Sequence, residues 1–184
     1  MTTLEGYLIA DFLISNNRQD LFGHIQKLIS ENRFKPRTTT NKLALLCAKG
    51  EDPPEEPRTD NGKRCSLLTD AMCPIYPVRP FGCRCFFSEK VCSQAGYAEV
   101  DPFTITVNTI YLQVIEHIDA TGFSGNFADV MLLMAKKENR DRYKINTLQH
   151  LEDDFISNMP IEVLMVPPEH RDKVKPIFVA LLGK

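Results

Sequence analysis

Five of the six cysteines in this chain fall in one stretch, CSLLTDAMCPIYPVRPFGCRCFFSEKVC, residues 65–92, spaced Cys65-x7-Cys73-x9-Cys83-x-Cys85-x6-Cys92. Thiolates are soft donors, and four of them suffice for a closed tetrahedral zinc site or a four-iron cluster. Such a centre carries a formal charge of about -2. Arg79 and Arg84 bracket Cys83 and are expected to offset that charge as its outer neighbours. Backbone amides of the Pro80-Phe81-Gly82 turn are expected to donate to sulfur. Ile75, Tyr76, Phe81, Phe86 and Phe87 are expected to keep water out.

The thiols are not equivalent. Cys83 and Cys85 stand two apart, and in extended backbone their side chains point opposite ways, which favours Cys83 as the ligand of that pair. Cys47 lies 18 residues upstream on an apolar helical face and reads either as a core thiol or as a ligand. Two blander readings compete with metal binding: six buried small hydrophobes, or a disulfide framework.

The elements Cys65-Ser-Leu-Leu, Cys73-Pro-Ile-Tyr and Arg79-Pro80-Phe81-Gly82-Cys83-Arg84 resemble, in order, the pattern of the YkgJ-like cysteine-cluster family, described as a zinc- or iron-chelating domain. The likeness covers about residues 65–87. It implies that Cys65, Cys73 and Cys83 are metal ligands and that the cofactor is a zinc ion or an iron–sulfur cluster, of four-iron type if iron. The family usually carries a further cysteine group upstream, which this chain lacks. The fourth ligand is therefore assigned to Cys92, in the same loop system, with Cys47 and Cys85 as rivals.

Bulk composition sets the frame. A chain of 184 residues with 43% hydrophobic residues fits a single domain, 1–184, that builds a core without disulfide staples. A net charge of -2, from 22 basic and 24 acidic residues, offers no excess cation for a nucleic-acid surface. The N-terminus lacks the basic start of a secretory signal, and the apolar run Leu8–Ile14 is broken by Asp11 and too short to span a bilayer. The expectation is a cytoplasmic protein without membrane contact, in a compartment that keeps thiols reduced.

The segments that must position the cysteines read mainly as α-helix. Residues 1–50 hold N-terminal helices. One covers about 18–32, with Leu21, Ile25, Leu28 and Ile29 on one face; the next runs from a Thr38-Thr39-Thr40-Asn41 cap to Gly50, with Leu43, Leu46 and Cys47 on its apolar side. Residues 51–63, EDPPEEPRTDNGK, form an exposed acidic, proline-rich loop, and 64–100 an irregular metal-binding segment packed on the helices.

Residues 101–184 return to helix. Asp101 caps, Pro102 takes the first position, Val107, Tyr111, Val114 and Ile118 form the buried stripe, and Gly122 ends it. Phe127, Val130, Met131 and Met134 mark another helix, with Lys136 and Lys137 at its C-terminus. Val174, Phe178 and Leu181 mark the last, which Pro176 is expected to split or kink.

Other chemistry is sparse. His24, His117, His150 and His170 are scattered, and His117 reads as a structural histidine. Glu152-Asp153-Asp154 reads as a solvated helix N-terminus. No phosphate-cradling glycine motif is present. The functional expectation is a cysteine-cluster metal protein with a structural, redox or sensing role. The alternatives are an enzyme of thiol or methyl-transfer type, which some flagellin-lysine-modifying members of the resembling family suggest, and a disulfide-stapled binding module.

Overall fold

The computed structural model describes residues 1–184 other than 30–32, 57–64, 66, 71, 86, 92–93, 95, 150–153 and 184, and gives the backbone alone for Leu28 and Leu182. The described chain is mainly helical. Its first helix, α1 (Thr3–Ser15), starts with a reciprocal cap: Glu5 N–H donates to Thr2 Oγ1 at 3.3 Å, and Thr2 N–H donates to the Glu5 carboxylate at 3.0 Å. The run Leu8–Ile14 is thus the body of a capped helix, and Ile9, Ala10 and Leu13 on it are buried. No helix among the described residues is long and apolar enough to cross a membrane.

Helix α2 (Asp20–Leu28) buries the expected Leu21 and Ile25. Helix α3 (Thr40–Lys49) takes its cap from Thr39, whose hydroxyl accepts Lys42 N–H, and ends on Gly50 at φ +69°, a left-handed conformation that glycine adopts without a Cβ penalty. Its buried side is Asn41 and Ala44, whereas Cys47 faces solvent, so the core-thiol reading of Cys47 does not hold. A short helix α4 (Phe81–Arg84) lies inside the cysteine-rich stretch.

Helix α5 (Pro102–Ile118) begins as the sequence suggests, with the Asp101 carboxylate accepting Thr104 N–H at 2.8 Å and Pro102 at the first position. Its inward face differs from the apolar stripe. The buried residues are Thr106, Ile110, Gln113, Val114 and Glu116; Ile118 is exposed, and the helix stops at Asp119, before Gly122. The polar residues face inward because an irregular backbone lies against them, and its amide groups need partners. Gln113 Nε2 donates to Val163 O, Gln113 Oε1 accepts Met165 N–H, the Glu116 carboxylate accepts the N–H of both Met159 and Asn41, and His117 Nδ1 accepts Ile161 N–H.

Helix α6 (Phe127–Ala135) buries Val130, Met131 and Met134 completely. Lys136 is its C-cap, but Lys137 opens a separate helix, α7 (Lys137–Lys144). Strand β1 (Phe123–Gly125) pairs antiparallel with β2 (Phe155–Ser157), Ser124 opposite Ile156, and Thr2 bridges Ser124. Asp154 therefore precedes a strand and forms ion pairs with Arg33 and Lys35 instead of starting a helix. Helix α8 (Arg171–Leu182) runs unbroken through Pro176.

Among the described residues two core clusters result. The first joins Ile9 and Leu13 of α1, Leu21 and Ile25 of α2 and Met131 of α6 to Leu67 and Ile75 of the cysteine-rich stretch. The second joins Ile110 and Val114 of α5 to Val174 of α8, with Phe103, Ile161 and Val166 against them. Gly6 lets α1 and α6 meet: a Cβ there would overlap the Val130 side chain.

Candidate metal centre

The described residues between Cys65 and Cys85 form tight turns pinned at two apolar anchors. Leu67 and Ile75 are 3% and 2% exposed, so the backbone on either side of the 68–74 excursion is fixed to the first core cluster. Between them Thr69 and Met72 exchange hydrogen bonds, N–H to O at 3.0 and 2.9 Å, across a turn that holds Asp70 at φ +50°. Cys73 packs against the core and its carbonyl accepts Tyr76 N–H, opening the 3-10 turn Tyr76–Val78.

Helix α4 carries Cys83, and its seat is specified from two sides. The Phe81 ring stacks on Tyr111 of α5 at 5.1 Å between centroids, and Phe81 N–H donates to Glu5 Oε1 of α1 at 2.7 Å. Of the turn amides expected to donate to sulfur, that of Phe81 goes to Glu5 instead, and the neighbouring Cys83 N–H donates to Pro80 O.

This folding brings three of the sequence-nominated thiols to one place. Cys65, Cys73 and Cys83, with Leu68, Met72, Tyr76 and Arg79, line an open surface recess of ≈ 560 Å³. Burial pushes the Cys83 thiol up from its ordinary range. Negative charge on Cys65, Cys73 and Glu5 adds to the rise, and the Arg79 guanidinium opposes it. Arg79 lies 3.7 Å over the Tyr76 ring, and its Nε is a buried nitrogen with no hydrogen-bond partner among the described residues.

Other nominated groups lie elsewhere. Cys85 does not line the recess; its thiol donates to Phe81 O at 3.1 Å and is pushed up in pKa by burial. The separation from Cys83 arises from a helical turn, on which residues two apart do not face each other, and not from extended backbone. Arg84 is also absent from the lining and donates to the carbonyls of Arg79 and Pro77. Cys92, like Phe86 and His150, lies outside the described residues. Tyr76 and Phe87, expected to exclude water, are 60% and 55% exposed. His117 has its backbone partner, and His170 Nδ1 shares a 2.8 Å hydrogen bond with Thr106 Oγ1, so both are structural.

The five described cysteines are free thiols. Among the described residues, no group of three or more His, Cys, Asp or Glu side chains stands ready-made to hold a metal ion. The three thiols share a recess, then, without already forming a ligand cage. Compared with protein-family models, curated proteins and solved structures, the chain matches none.

Two residues of this site escaped the sequence reading. Glu5 carried a legible signal for its local role, Thr-x-x-Glu at a helix start, but none for its contact with Phe81. Met72 is adjacent to Cys73 in sequence, and a thioether beside a thiolate is a soft-donor pair that spacing rules for cysteines pass over.

Proposed function

We propose that this protein binds a metal centre, a zinc ion or an iron–sulfur cluster, through Cys65, Cys73 and Cys83, with Cys92 as the fourth thiolate. On this reading the cysteine-rich segment 64–100 packs on the helical body as its metal-binding element. The observation that carries the proposal is the lining of one recess by three thiols that are 8 and 10 residues apart in sequence. The resemblance of residues 65–87 to the YkgJ-like family supports the same three ligands. A cytoplasmic location suits it, because reduced thiols are available there.

The chemistry of the donor set fits such a centre. Thiolates hold zinc and iron well, and Arg79 on the recess wall offsets part of their charge. Because the thiols are gathered without being caged, binding includes an ordering step, and each thiol that ligates loses its proton. In small zinc peptides the metal contributes on the order of 10 kcal/mol to folding. The role of the centre is structural, redox or sensing.

The test is elemental analysis and a visible spectrum of the full chain purified without oxygen, together with Cys73→Ser and Cys83→Ser. Stoichiometric zinc without colour, or iron with broad visible absorbance, is expected in the parent and lost in both variants. Metal content unchanged by both substitutions refutes the ligand assignment, and a folded parent chain that binds no metal refutes the function.

A further inference from the structure

The recess offers a donor that neither zinc nor an iron–sulfur cluster calls for. Met72 lines it beside Cys65, Cys73 and Cys83, and its side chain is 71% exposed, so the thioether is within reach of an ion entering from solvent. Its backbone is not loose: the paired hydrogen bonds with Thr69 fix it at the end of a tight turn. Among the described residues, no histidine or carboxylate lines the recess. Glu5, the carboxylate whose charge reaches Cys83, is committed to Thr2 and the Phe81 amide.

The soft donors on offer among the described residues are therefore three thiols and one thioether, with the Tyr76 phenol as the one oxygen-bearing side chain of the lining. Thiolate and thioether together select soft ions such as Cu(I), whereas the usual ligands of zinc are thiolate, imidazole and carboxylate. The recess is also open to solvent, as an ion that enters and leaves requires and as a closed structural zinc site is not.

We propose that this recess also takes a soft monovalent ion, Cu(I) or an ion of the same class, in place of the zinc or iron–sulfur centre, bound by Cys65, Cys73 and Cys83 with the Met72 thioether as the further donor. The proposal rests on the reading of the three cysteines as ligands and adds a second kind of ion that they hold. Binding exchanges thiol protons for the ion, with no change of oxidation state at sulfur or metal. Arg79, whose guanidinium acts on Cys83, offsets the excess negative charge of three thiolates around a single positive ion.

The experiment is an anaerobic titration of the full chain with Cu(I) against a chromophoric Cu(I) chelator, and separately with Zn(II) against a zinc chromophore. It is run on the parent, Met72→Leu and Cys73→Ser. Leucine keeps the apolar volume and removes the sulfur, and at a site this exposed it leaves the urea midpoint unchanged. Met72→Leu is expected to weaken Cu(I) binding at least about tenfold, since even outer partners of metal ligands are worth that much, and to leave Zn(II) affinity alone.

In the parent with 13C-labelled methionine methyl groups, one of the six signals shifts with Cu(I), and Met72→Leu abolishes that signal. Cu(I) affinity that Met72→Leu leaves intact, or a Met72 methyl that Cu(I) does not move, overturns the soft-ion proposal while the thiolate site stands. A parent that binds neither ion, or Cys73→Ser binding both as tightly, overturns the thiolate site itself.

Discussion

Asp119 shows how this protein handles a buried charge. It is 3% exposed and surrounded by donors: Thr3 Oγ1 at 2.7 Å, Leu4 N–H at 2.9 Å, Asn158 Nδ2 at 3.0 Å and Tyr143 Oη at 2.6 Å. Burial nevertheless outweighs those donors and lifts its pKa above the ordinary 3.8. An acid whose native pKa is raised destabilises the fold as it ionises. Its contribution to stability therefore falls as pH climbs from 3.8 to the native value, and stays low above that. Tyr143→Phe removes one donor to the carboxylate and widens the window upward. Loss of a hydrogen bond to a charged group costs about 1.5–3 kcal/mol. Urea unfolding is expected to show that full cost near neutral pH and a markedly smaller one below 3.8, where Asp119 is neutral in both states. A cost independent of pH would mean that the Tyr143 hydroxyl contributes without regard to the charge on Asp119.

At the scale of elements, the seat of Cys83 is built by Glu5, which joins the start of α1 to the start of α4. Its Oε2 accepts Thr2 N–H while its Oε1 accepts Phe81 N–H. Glutamine serves a capping box as well as glutamate does, but it offers a single acceptor oxygen. Glu5→Gln must therefore give up either the cap or the Phe81 amide, at a cost of about 1–2 kcal/mol. It is expected to lower the urea midpoint and to weaken metal binding several-fold by loosening α4, with Cys83 itself intact. Equal metal affinity in Glu5→Gln would show that α4 is held by the Phe81–Tyr111 stack alone. This scale is also where the sequence was most and least legible. Caps announced themselves: Thr39 with Gly50 bounds α3, and Asp101 with Pro102 opens α5, as read, although α5 ends at Asp119 and not at Gly122. The inward face of α5 did not, because Gln113 and Glu116 are buried to serve the backbone of 159–165, and an apolar-stripe count is blind to a polar template. The three-residue strands β1 and β2 escaped because so short a run carries no period. The cysteine trio was legible in type and order; the path that gathers it depends on Leu67, Ile75 and Phe81 finding partners far along the chain.

At the scale of the whole molecule, the two core clusters give the recess a mechanical address. Leu67, Ile75 and the half-buried Cys73 belong with α1, α2 and α6, whereas Ile110, Val114 and Val174 tie α5 to α8. The irregular segment against α5 hangs on Gln113, Glu116 and His117, and shares none of the recess lining. A ligand of the recess therefore stabilises the first cluster directly and the second only through global unfolding. Ligand that binds only the native state adds about 4 kcal/mol at a thousandfold excess over its dissociation constant, and amides whose opening disrupts the site gain that protection. Native-state hydrogen exchange with and without metal is expected to show amides of α1 and α6 slowed by more than those of α8. In α8, exchange by local fraying is expected to continue unchanged. Equal slowing along α1, α6 and α8 would mean that the molecule opens as one unit, and slowing confined to α8 would place the metal somewhere other than the recess.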